Sequence, residues 1–236
     1  MRIKRFAAIG LFTLFLLVGS QVALADLVFS GSSGTLAASA NFALVGQTLT
    51  VTLTNTSSHD VLVPTDVLTA VWFDTSKTLT PVSVSLGTST VFYGTISNPS
   101  KGYGYYSGLA GGAHGMNDGL TAVGFGIGTG HSNFPGGGGA NLNGLDYGIL
   151  SAGDNSGTGN GGVTGGGPLV KNEVIFTLST PVGFTLNDLG RTAVFQYGTA
   201  LTDTTITSYV PDGGMTLMLL GGALVGLATL RRRFSD

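Results

Sequence analysis

Apolar and polar side chains alternate with a period of two near the start of the chain. Gln47 to Thr54 reads Gln-Thr-Leu-Thr-Val-Thr-Leu-Thr. That order sets Leu49, Val51 and Leu53 on one face of a strand and the threonines on the other. Leu36 to Val45 reads as a strand at the edge of the same pair, and Asn55-Thr56-Ser57-Ser58 as a turn. Val61-Leu62-Val63 runs into Pro64, which confines it to a strand end or an edge. Val67 to Phe73 is a continuous apolar run, read as a buried strand, and it carries Trp72, the single tryptophan. Val82 to Leu86 and Val91 to Ile96 continue the series. Val174 to Leu178, Ala193 to Tyr197 and Thr205 to Val210 resume it near the end. No stretch between these strands keeps a helical period. Short strands separated by turn residues predict an all-β fold, an antiparallel β-sandwich.

The middle of the chain interrupts the pattern. Residues 102–167 hold 25 of the 40 glycines. Glycine loses more backbone freedom on ordering than any other residue, so long loops are expected there. Short strands are predicted between them at Leu120 to Ile127 and Leu145 to Leu150. Tyr103, Tyr105, Tyr106, Phe125, Phe134 and Tyr147 are placed to anchor the loops on the sandwich.

Composition narrows the classes. Charged residues are 9% of the 236, apolar residues 42%, and there is no cysteine. A disulfide framework, a zinc–thiolate site and a thiol nucleophile are therefore excluded. Ten basic residues give no footprint for nucleic acid. Residues 26–209 contain four basic side chains, Lys77, Lys101, Lys171 and Arg191, against ten acidic ones, a net charge of −6.

The two ends read as addresses. Arg2, Lys4 and Arg5 precede an apolar run from Phe6 to Val18. Ala23 and Ala25 stand at −3 and −1 of a peptidase site, which sets the cut before Asp26. Residues 1–25 are thus expected to be a signal peptide, handled by the Sec translocon and signal peptidase. At the other end, Val210-Pro211-Asp212-Gly213-Gly214 leads into Met215 to Leu230, 16 residues without a charge. As a helix they cover roughly 24 Å, close to a hydrocarbon core of ~30 Å. Arg231, Arg232 and Arg233 then close the run and are expected to stay in the cytoplasm. Pro211 has no backbone donor and biases Val210 away from helix. The segment 210–214 has the character of an accessible linker just outside a membrane.

This tail resembles a PEP-CTERM-type sorting signal in its VPD variant, with Asp212 where the commoner pattern has Glu. The resemblance rests on Val210, Pro211, Asp212, the apolar run and Arg231 to Arg233. It implies recognition by an exosortase, cleavage near Pro211, and release or attachment at the surface of a Gram-negative host that makes exopolysaccharide. These residues would be recognition elements. A second likeness lies upstream. Asn41-Phe42 followed by Gly46 to Thr56 is similar to the opening hairpin of exported sandwich domains of the immunoglobulin and cohesin-like kind. With Asp146 to Asp154, Lys171-Asn172 and Val194 to Thr199, the chain looks like the XDD-type exosortase-dependent surface proteins. That likeness implies a surface location.

Candidate chemistry is thin. Asp60, Asp66 and Asp74 flank strands, where turn and cap roles are common, although paired carboxylates can run glycoside hydrolysis. His59, His114 and His131 lie in turn-like stretches, with no G-x-S-x-G and no H-E-x-x-H frame. Gly153 to Gly162 sets Asp154, Asn155 and Asn160 among glycines. That would suit calcium, but Asp and Asn also populate turns for conformational reasons. The expectation is an exported domain, 26–209, with no catalysis, no cofactor and a structural or adhesive role. Residues 210–236 would hold it in the membrane as a precursor, and polysaccharide is the partner considered. Two other classes stay open: a carbohydrate- or protein-binding module of cohesin-like kind, with Tyr103, Tyr105 and Tyr106 stacking on sugar rings, and a polysaccharide hydrolase.

Overall fold

The computed structural model describes residues 26–109, 112–127, 131–137, 142 and 144–210. The expected signal peptide, residues 1–25, and the tail from Pro211 to Asp236 lie outside the described residues.

The period-two segments form one five-stranded sheet. β1 (Leu27–Ser33), β2 (Leu36–Val45) and β3 (Thr48–Asn55) are consecutive hairpin partners. β12 (Glu173–Ser179) pairs with β3, and β5 (Thr80–Ser85) pairs with β12. Leu49, Val51 and Leu53 are buried as expected, and Val174, Phe176 and Leu178 of β12 face the same way. A residue in every second position supplies that face, which is why the alternation was readable.

The second sheet has nine strands and is built around β4 (Leu68–Thr75). β4 pairs with β8 (Asp118–Thr121) and with β13 (Leu189–Tyr197), which in turn pairs with β14 (Thr205–Tyr209). β7 (Gly104–Tyr106) and β9 (His131–Asn133) extend it beyond β8. β10 (Ile149–Leu150) touches β4 at Leu68, and β11 (Leu169–Lys171) and β6 (Thr90–Phe92) follow. The described chain is thus mostly β, in agreement with the all-β expectation.

Side chains of the two sheets meet in one shared core. The Phe42 ring of β2 stands edge-on to Phe73 of β4, 5.1 Å between centroids, and to Phe29 of β1, 5.6 Å. Such edge-to-face pairs are favourable beyond their buried area. Tyr103 and Phe134, both from the glycine-rich centre, pack on Phe176 at 5.2 and 5.8 Å. The outer face of β4 is covered as well. Ala70 and Trp72 pack there with Tyr106, Ala113 and Val194, and Phe125 closes over the indole.

Several expectations need correction. The sheets are not wholly antiparallel: β10 and β11 run parallel, Ile149 against Val170 and Leu150 against Lys171. Parallel neighbours need a crossover of a dozen or more residues. Residues 151–168 supply it and include a short helix, α1 (Gly161–Thr164). The strand expected over Leu120 to Ile127 ends at Thr121, because the chain turns through positive φ at Phe125 and Gly126. The strand expected over Leu145 to Leu150 is only β10, after a turn with Tyr147 at φ 67°. Val91 to Ile96 stops at Phe92, since Tyr93 has φ 59°. Val61 to Val63 is not a strand, and Pro64 opens a 3₁₀ turn.

Gly119 shows how tightly the outer layer fits. A Cβ there would lie 2.2 Å from Cε3 of the fully buried Trp72. Gly119→Ala is therefore expected to cost about 1–3 kcal/mol through overpacking. At Gly161 a Cβ meets nothing within 4 Å, so Gly161→Ala should leave Tm unchanged or slightly raised. Equal melting of both variants in a thermal scan would contradict the packing described.

Candidate functional site

The tail leaves the fold at the end of β14. Tyr209 pairs with Thr192, and the Val210 N–H donates to Arg191 O at 2.9 Å. The Val210 side chain is partly buried against the shared core. β14 is also fastened to β1: Ser208 Oγ donates to Ser30 O and accepts from Ser30 N, both at 2.9 Å. Gly31 lies against Ile206 and Thr207, so the two strands run in opposite senses and the start of β1 lies beside the end of β14. Asp26 is exposed there and accepts from Asn41 Nδ2 at 3.0 Å. Of the sorting and cleavage residues, Val210 and Asp26 are therefore placed. Ala23, Ala25, Pro211, Asp212, Gly213, Gly214, Arg231, Arg232 and Arg233 lie outside the described residues.

The crossover between β10 and β11 holds the three residues considered for calcium. Asp154 is 5% exposed, and its Oδ1 accepts from Val61 N at 3.1 Å. Asn155 Oδ1 accepts from Gly157 N at 3.0 Å, and Asn160 Oδ1 caps α1 by accepting from Gly162 N at 2.9 Å. Asn155 and Asn160 thus turn an oxygen onto a backbone donor two residues on, the common role of Asx side chains, while Asp154 fastens the crossover to Val61, far away in the chain. Asp60, distant in sequence, locks the same loop: it accepts from Asn155 N and from Thr158 Oγ1. The Thr158 hydroxyl, then the Asn155 N–H, hold the Asp60 carboxyl below its ordinary range, whereas burial pushes Asp154 up. Asp154 Oδ2 is buried without a hydrogen-bond partner, and Lys171 Nζ sits on Asp154 O at 2.6 Å. Among the described residues, no three His, Asp or Glu side chains gather as a metal site.

The tyrosines considered for sugar stacking are each 1% exposed. Tyr103 donates to Tyr147 O at 2.6 Å, and Tyr106 donates to Gly124 O at 2.9 Å. Their rings belong to the core and offer no face to a glycan, so they anchor the loops as the alternative expectation had it. His114 Nε2 bonds Gln196 Oε1, and the His131 ring lies 5.5 Å from that of Tyr106.

One feature was not anticipated. A cavity of about 190 Å³ opens between the Thr75–Thr78 turn and Ser107, Gly108, Asn117 and Asp118. Asp118 is 3% exposed and accepts from Tyr105 Oη at 2.6 Å. Burial, helped by Asp74, pushes its carboxyl up to about 6, and the Tyr105 hydroxyl opposes the rise. Asn117 Oδ1 beside it is buried without a partner. Asp118 lies in a glycine-rich stretch with no motif, so only the pairing of β8 with β4 reveals it.

Residues 209–234 match the VPDSG-CTERM motif, a variant of the PEP-CTERM-like exosortase sorting signal. The match opens at Tyr209, the last residue of β14, and Gly213 stands where the motif's name spells Ser. No curated protein and no solved structure matches the chain. The signal implies a membrane-anchored precursor, an exosortase as processing partner, and a surface or extracellular destination.

The Asp118 geometry sets a pH dependence. Its folded pKa of about 6 exceeds the ordinary 3.8, so between those values the folded state binds the extra proton. Its contribution to stability is then complete below pH ~4 and lost as pH rises through ~6. Asp118→Asn keeps an acceptor for Tyr105 but cannot ionise. Its Tm is expected to gain on the wild type by a few degrees between pH 4 and pH 7. A constant difference across that range would count against a buried, protonated Asp118.

Proposed function

We propose that the chain is an exported protein of a Gram-negative cell, inserted through the Sec translocon and freed of residues 1–25 by signal peptidase. Residues 210–236 hold the precursor in the membrane through the apolar run 215–230, with Arg231 to Arg233 inside. An exosortase cuts near Pro211 and delivers residues 26–209 to the surface or the extracellular matrix. There the two-sheet body, read as a sandwich of immunoglobulin or cohesin kind with one parallel pair added, has a structural or adhesive role without catalysis or cofactor. Polysaccharide is its proposed partner.

The observation that carries this reading is the sorting motif over 209–234. It is supported by the exit geometry. Among the described residues, Val210 is the last with a backbone bond to β13, and the motif's Pro-Asp-Gly-Gly follows it in the sequence, where the proposal has an enzyme at the membrane reach it. A glycan-binding module is the second reading. It now rests on the polar cavity beside Asp118, since the tyrosine rings are buried.

Replacing Pro211 and Asp212 together by alanine is expected to block tail removal, leaving a membrane-bound product of precursor mass in the native host. Processing at the wild-type rate would refute exosortase recognition of this tail.

A further inference from the structure

The tail departs from the side of the body, and the fold continues past that point. Ser30 lies beside Ser208 and Gly31 beside Thr207, which sets Val210 about level with Val28 and, across the β1–β2 ladder, with Asn41. From Asn41 to Val45, β2 runs on for four residues, on the order of 14 Å. The β2–β3 turn at its tip adjoins the loop after β12, where Thr180 N donates to Gln47 O at 2.9 Å.

The tail cannot stand far off. Val210 is fixed, and Met215, the first residue of the apolar run, is five residues on. Five extended steps span at most about 18 Å. Even a fully stretched Pro211-Asp212-Gly213-Gly214 segment carries Met215 only a few ångströms past the tip of β2.

The two tips have the chemistry of a membrane interface. Val45 is 61% exposed and Val182 is 87% exposed. Phe42 to Thr54 and Ser179 to Asn187 contain no charged side chain. The nearest charge in sequence, Asp188, is turned back onto Thr185 N and Oγ1, so Val45 and Val182 themselves carry no charge that would resist burial beside lipid. An exposed valine alone needs no explanation. Two of them on adjoining tips, at the end toward which β14 runs, are a different matter.

We infer that in the membrane-anchored precursor the Val45–Gln47 and Pro181–Phe184 tips rest in the bilayer interface, with Val45 and Val182 seated among the upper acyl chains. The short linker holds the tips down, and they fix the orientation in which the cleavage segment is offered. This inference rests on the anchored precursor described above.

The test uses the full chain in phosphatidylcholine vesicles brominated at shallow acyl positions. Trp72 is fully buried and gives a constant background. A second tryptophan is introduced as Val45→Trp, Val182→Trp or, toward the opposite end of the body, Leu62→Trp, which is 50% exposed in the wild type. Unchanged Tm establishes that each variant is folded. Emission of the Val45 and Val182 variants is expected to fall about two-fold relative to the Leu62 variant, since interfacial segments reach about 5–10 Å into the headgroup boundary. Vesicle flotation with equal emission from all three variants would overturn the seating of the tips while leaving the anchor intact. A chain that fails to float would overturn the anchor itself, and the seating with it.

Discussion

β4 is buried on both of its faces, and the rest of the described fold is arranged to satisfy that constraint. Leu68, Val71 and Phe73 point into the core shared with the five-stranded sheet, while Ala70 and Trp72 point the other way. Burying apolar surface is worth roughly 25 cal/mol per Å², so each face needs a cover. The five-stranded sheet covers the first. The second is covered by the glycine-rich centre, whose ordering opposes folding by about 1–2 kcal/mol of backbone entropy per residue. Tyr106 and Phe125 offset that cost by packing on Trp72. Gly119 makes the close approach possible, because no side chain fits between β8 and the indole.

Legibility in the sequence followed the same physics. β2, β3 and β12 have one core face each, so their alternation shows through. β4 over Leu68 to Phe73 and β13 over Ala193 to Tyr197 are buried on both faces, so no alternation shows there. β7, β8, β9, β10 and β11 have two to four residues each, too few for a period to emerge. The parallel pairing of β10 with β11 is a tertiary outcome of the crossover and leaves no local mark. β1 went unread because only Leu27 and Phe29 alternate inward before Ser30-Gly31-Ser32-Ser33. The candidate sites divide in the same way. Val210 and Pro211 stand out as a boundary from composition and proline geometry. The Asp60 clamp on Asn155 and the burial of Asp118 both depend on partners far away in the chain.

The sorting motif joins the described fold at one edge. The start of β1 and the end of β14 are neighbours, so Asp26 and the strand that opens the sorting motif are side by side. The hydrogen bond from Val210 to Arg191 and the Ser208–Ser30 pair hold that edge closed. The motif match therefore begins on a packed strand, at Tyr209.

The most direct test of the account is the intact mass of the protein from surface and membrane fractions of its native host. The account predicts a surface species that lacks residues 1–25 and ends near residue 211, beside a membrane species that retains the tail. A surface species still carrying Met215 to Asp236 would contradict it.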